Sequence, residues 1–154
     1  MKKKGNNAGF FWRSAKNIQL CRLINNLIKE GIQVLMKILV CEDNKLTTRT
    51  ISVVLAKEGY KTEVAEDGNV AISMLEKNTY DLLIIDIHLP FHSGLELVRY
   101  VRTNLNRETP VIILSAFSDP QMKRQAKELG ISEYIIKPFN PADLVLKIRA
   151  ILNN

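Results

Sequence analysis

The sequence predicts an α/β fold, a doubly wound sheet of five parallel strands with five helices packed on its two faces. Three observations carry this. Short apolar runs alternate with amphipathic stretches from Met36 onward. The third and fourth runs, Leu82-Leu83-Ile84-Ile85 and Val111-Ile112-Ile113-Leu114, are continuously apolar, as strands covered on both faces are. The amphipathic stretches begin at capping residues, and strand–helix alternation of this kind requires right-handed crossovers.

The strands are expected over 37–41, 62–65, 81–86, 110–114 and 133–136. Asn44 caps a helix over 45–58 that Gly59 ends, and Asp67 caps one over 68–78. Ser93-Gly94-Leu95-Glu96 has capping-box spacing ahead of Leu97, Val98, Val101 and Leu105. Ser118-Asp119-Pro120-Gln121 repeats that spacing, with proline in the first turn. Asn140-Pro141 opens the last helix, whose core stripe is Leu144, Ile148, Ile151 and Leu152.

Composition excludes several classes. With 154 residues, 46% hydrophobic and 25% charged, one ordinary core is affordable. No apolar run reaches the roughly 18–20 residues that span a bilayer. Cys21 and Cys41 have no metal-ligand spacing, and Cys41 reads as a buried reduced thiol. A cytoplasmic location is expected. The net charge of +6 suggests nucleic acid until its distribution is read. Residues 1–36 hold seven basic residues and one acidic residue, and 37–154 hold 15 of each. The body therefore has no basic excess to attract phosphate backbone, and DNA binding is not expected of it.

Residues 1–35 read as a basic N-terminal extension ahead of a domain over 36–154. Phe10, Phe11 and Trp12 precede an amphipathic pattern of Leu20, Ile24, Leu27 and Ile28, suited to a membrane surface or a partner. A second reading starts translation at Met36, because Lys29-Glu30-Gly31 can be encoded by a purine-rich run like a bacterial ribosome-binding site.

Sites in open α/β sheets form at the carboxyl ends of strands. The polar residues there are Glu42 and Asp43 after the first strand, Asp86 at the end of the third, Ser115 after the fourth and Lys137 after the fifth. In strand order 2-1-3-4-5, the flavodoxin-like order, three carboxylates converge, with a hydroxyl and an ammonium opposite. Converging carboxylates call for a cation, and hard oxygen ligands suit Mg²⁺. The ammonium and hydroxyl call for an anion. Together they describe a phosphoryl-transfer site in which a carboxylate is the nucleophile.

The stretches KILVCEDN, DLLIIDIHLPFHSGLEL, VIILSAF and YIIKPF resemble the receiver domain of two-component response regulators. The resemblance implies that Asp86 is the phosphoacceptor and that Asp43 and Asp86 bind Mg²⁺, with Glu42 assisting through water. It implies that the backbone carbonyl of His88 completes the metal shell, while the His88 side chain tunes phosphoryl lifetime. Lys137 would pair with the phosphoryl group, ahead of a cis bond to Pro138. Ser115 would move to the phosphoryl group, Ala116 would leave room for it, and Tyr134 would turn inward as Ser115 moves. His92 reads as a solvated loop residue.

The implied partners are a sensor histidine kinase or phosphotransfer protein and an output protein docking around the fourth helix and fifth strand. A phosphorylation-dependent homodimer, with Arg149, Lys127 and Glu133 in crossing ion pairs, is a further expectation. The protein would be no enzyme beyond its own phosphorylation and dephosphorylation. The alternative is a DNA-binding response regulator recorded without its output domain. A haloacid-dehalogenase-like phosphatase is disfavoured because His88 stands where that family has a second aspartate. A flavodoxin is disfavoured because Glu42-Asp43-Asn44 would repel a phosphate.

Overall fold

The computed structural model describes residues 35–153. The expectations for the N-terminal extension lie outside them, apart from its last residue. The elements are β1 (Lys37–Cys41), α1 (Lys45–Lys57), β2 (Lys61–Ala65), α2 (Gly68–Lys77), β3 (Leu82–Asp86), α3 (Gly94–Thr103), β4 (Val111–Ser115), α4 (Pro120–Glu128), β5 (Glu133–Ile136) and α5 (Pro141–Leu152). The five strands are parallel in the order β2-β1-β3-β4-β5, as expected.

Alternation along each strand builds two cores. Leu39, Cys41, Leu83, Ile85 and Ile113 face α2 and α3, where Ala71, Leu75, Leu97, Val98 and Val101 meet them. Ile38, Val40, Leu82, Ile84, Ile112 and Leu114 face α1 and α5, where Ile51, Leu55, Leu144 and Ile148 meet them. All of β3 and β4 is buried, which is why those two strands read as continuous apolar runs.

Local chemistry sets the boundaries. Asn44 accepts from the amides of Leu46 and Thr47, and Gly59 takes a φ of 80° just past the end of α1. Ser93 and Glu96 form the complete capping box. The start of α4 corrects the expectation. Asp119, not Ser118, is its cap, accepting from Gln121 and Met122, with Pro120 in the first turn. A carboxylate one residue before the proline lies nearer those free amides than the serine does. β4 begins at Val111 rather than 110, since Pro110 has no amide to donate to the ladder.

Candidate functional site

Backbone pairing continues past the strand ends and fixes the polar groups there. The amide of Glu42 donates to the Ala65 carbonyl at 3.1 Å, that of Ile87 to Leu114 at 2.9 Å, and that of Lys137 to Ser115 at 2.7 Å. Residues dispersed between 42 and 137 thus arrive at one rim. Gly94 allows α3 to start against it. A Cβ built on Gly94 would sit 2.5 Å from the Asp86 carbonyl oxygen and 2.9 Å from the Ile87 Cα, backbone that cannot give way.

Glu42, Asp43 and Asp86 each offer a carboxylate oxygen within 4.8 Å of the others. Glu42 is 1% exposed and Asp86 6%, while Asp43 is open to solvent. Lys137 supplies their counter-charge, its Nζ lying 2.6 Å from Glu42 Oε2 and 3.3 Å from Asp86 Oδ2. Burial pushes the Glu42 carboxyl above its ordinary range, against the pull of its hydrogen bonds from Lys137 and the Asn44 amide. Three carboxylates with one lysine leave an excess of negative charge. The donors are all hard oxygens, so the cluster fits a cation such as Mg²⁺.

Ser115 is buried, but its hydroxyl is engaged in its own turn. It donates to the Phe117 carbonyl at 2.9 Å and accepts from the Phe117 amide at 3.2 Å. Ala116 is exposed beside it. His88 is exposed, and its amide lies 3.4 Å from Asp86 Oδ1. Its ring meets that of Phe117 edge to face, with centroids 6.0 Å apart and planes at 79°. His92 is half-buried rather than fully solvated, its Cβ lying where a side chain on Gly68 would be.

Tyr134 is half-buried and packs against the α2–α3 core. Its hydroxyl is buried and finds no partner among the described residues. The ring packs against this core while the Ser115 hydroxyl is tied to Phe117. The Lys137–Pro138 bond is cis.

Two of the three residues expected in crossing ion pairs have partners within the chain. Arg149 reaches Glu58 at the end of α1, and Glu133 pairs with Lys147 at 3.0 Å. Arg149 therefore faces α1 rather than the β5 side of α5, because the helical turn separates it from Lys147. Phe117, which sequence reading does not single out, touches both the Ser115 hydroxyl and the His88 ring. Its only signal was an aromatic side chain two positions after Ser115.

Comparison with known proteins agrees with this geometry. The response regulator receiver domain family matches residues 38–149. The chain is 39% identical over 116 residues to Response regulator ArlR of Staphylococcus saprophyticus, covering 75% of this chain and 52% of that one. It is 35% identical over 116 residues to the Transcriptional regulatory protein ResD of Bacillus subtilis, covering 75% and 48%. The chain spans about half the length of these curated relatives. Among solved structures, the chemotaxis response regulator CheY4 of Vibrio cholerae is 30% identical, with a TM-score of 0.71, over 77% of this chain and all of that one.

Proposed function

We propose, from the premise that the chain belongs to the response regulator receiver domain family, that it takes a phosphoryl group onto Asp86 and thereby switches a docking surface. As a receiver domain it works in two-component signal transduction. The observation that carries the assignment of Asp86 is Lys137, which holds that buried carboxylate and Glu42 together beside Asp43.

In this reading an Asp86 oxygen attacks the phosphorus of a phosphohistidine on a histidine kinase or phosphotransfer protein. An O–P bond forms and the N–P bond breaks. The electron pair stays on the imidazole nitrogen, which takes up a proton. Glu42, Asp43, Asp86 and the His88 backbone carbonyl would hold Mg²⁺. When bound, the metal neutralises the carboxylates and draws charge from the phosphoryl oxygens. Lys137 follows the charge from Glu42 to the phosphoryl group. Ser115 releases Phe117 and donates to a phosphoryl oxygen, and Tyr134 repacks with it.

The signal leaves through the surface of α4 and β5, to an output protein or a second copy. The chemistry is confined to the protein's own phosphorylation and dephosphorylation, in the cytoplasm. No helix among the described residues is long and apolar enough to cross a membrane. A second reading has this chain as the receiver half of a transcriptional regulator, because the curated relatives are about twice its matched length. Coding sequence downstream of Asn154 separates the two.

The test is labelling by acetyl phosphate with Mg²⁺, read by intact mass. The wild type is expected to gain one phosphoryl group and Asp86→Asn none. Labelling of Asp86→Asn at the wild-type level would overturn the assignment.

A further inference from the structure

We propose that Phe117 and His88 form a latch that holds Ser115 in its resting turn, making both positioning residues for the switch at Asp86. The inference rests on the reading of Asp86 as the phosphoacceptor. It adds a residue outside the acidic cluster and a route by which that residue acts.

The geometry begins with Ser115. Its carbonyl is pinned to β5 by the Lys137 amide at 2.7 Å, so its main chain is held in the sheet. What remains free to change is the hydroxyl, and Phe117 satisfies it twice, as acceptor through its carbonyl and as donor through its amide. Donation to a phosphoryl group on Asp86 requires the hydroxyl, which has one proton, to give up its bond to the Phe117 carbonyl. The cost of that release depends on how firmly Phe117 is held in the turn.

Phe117 is held in the turn by its backbone bonds to Ser115, and its ring meets His88. Its side chain is 67% exposed, and it sits in the loop between β4 and α4. Its ring meets His88 edge to face. His88 belongs to the other side of the site, on the chain leaving β3, two residues after Asp86. The pair therefore links the chain leaving β3 to the chain leaving β4. A T-shaped aromatic contact is a modest interaction, and it acts here on one state only. An interaction present in the resting state and absent from the switched one biases that equilibrium by its own strength.

The direction is fixed by this logic. Removing either ring favours the switched state, and removing both does no more than removing one. The effect must pass through the Ser115 hydroxyl. A bulky ring that merely blocked access to Asp86 would give the same sign in the wild type, but it would act whether or not residue 115 had a hydroxyl.

The test uses beryllium fluoride with Mg²⁺, a phosphoryl mimic, and measures its dissociation constant by titration on the full chain. Phe117→Ala and His88→Ala are each expected to bind about 2- to 10-fold more tightly than wild type, with the double variant equal to either. Phe117→Tyr, which keeps the ring edge, is expected to match wild type. In a Ser115→Ala background, Phe117→Ala is expected to change nothing.

Equal tightening by Phe117→Ala with and without the Ser115 hydroxyl would show simple access and overturn the latch. Unchanged affinity in Phe117→Ala would also overturn it. If Asp86→Asn binds the mimic as the wild type does, the assignment of Asp86 fails instead, and the latch with it. Thermal unfolding of each variant confirms that the change is not one of folding, since Phe117 is largely solvent-exposed.

Discussion

At the amino end of the sheet, Arg102 donates to the carbonyls of Arg107 and Thr109 at 2.9 Å, Gly130 at 3.2 Å and Leu129 at 3.3 Å. Arg107 beside it donates to the carbonyls of Leu75 and Asn78 at 2.7 and 2.9 Å. At the carboxyl end, three carboxylates cluster, two of them share one lysine, and a serine hydroxyl is occupied by its own turn. Cations at the first end are matched to carbonyls where α2 and α4 terminate and in the loop before β4, so little there can respond to a ligand. The second end holds charge that a metal and a phosphoryl group can still rearrange. The difference separates the part of the molecule that supports the fold from the part that can switch.

That contrast can be broken from either end. The largest expected effect is at the site. Gly94→Ala drives a methyl group into the Asp86 and Ile87 backbone and is expected to cost about 3 kcal/mol or more in denaturant unfolding, with acceptance of phosphate from acetyl phosphate lost as well. A loss confined to stability would mean that the close approach serves packing alone.

Next comes the amino end. Arg102→Ala leaves four carbonyls without their charged donor and is expected to cost about 2–3 kcal/mol, while the dissociation constant for the phosphoryl mimic stays at the wild-type value. A change in that constant would show that the two ends are coupled.

Tyr134→Phe removes a buried hydroxyl that has no partner among the described residues and is expected to raise stability by about 1 kcal/mol. A loss of stability in a urea titration would show that the hydroxyl is satisfied in solution.

The last test reads a slope. Burial raises the Glu42 carboxyl above its unfolded value, so the folded state holds that proton more tightly. The resulting stability is complete below the ordinary glutamate range and is lost as pH rises through the raised value. The melting temperature of the wild type is therefore expected to fall across that window relative to Glu42→Gln. Mg²⁺, which needs the ionised form, should offset the fall. Parallel melting curves for the two proteins would remove Glu42 as the source.

Much of the fold was legible because it is written in local periodicity. The continuous apolar runs at Leu82–Ile85 and Val111–Leu114 have the pattern of strands covered on both faces, and Asn44, Asp67, Ser93 and Asn140 do cap the helices that follow them. The site was legible as a set of residue types at strand ends, since parallel order alone brings residues 42, 86 and 137 to one rim. Where two neighbouring residues could do the same job, the pattern failed, as at Ser118 and Asp119.

By itself, the sequence determined which residues face inward and which polar groups stand where the strands end, because both follow from the chain's own spacing. Only the tertiary structure decided the partners. Lys137 reaches Glu42 across 95 residues, Arg149 turns to Glu58 across 91, and Phe117 meets His88 from a different strand end. Each of these depends on how separate elements pack, and long side chains with several partners within reach settle on the one that packing leaves nearest.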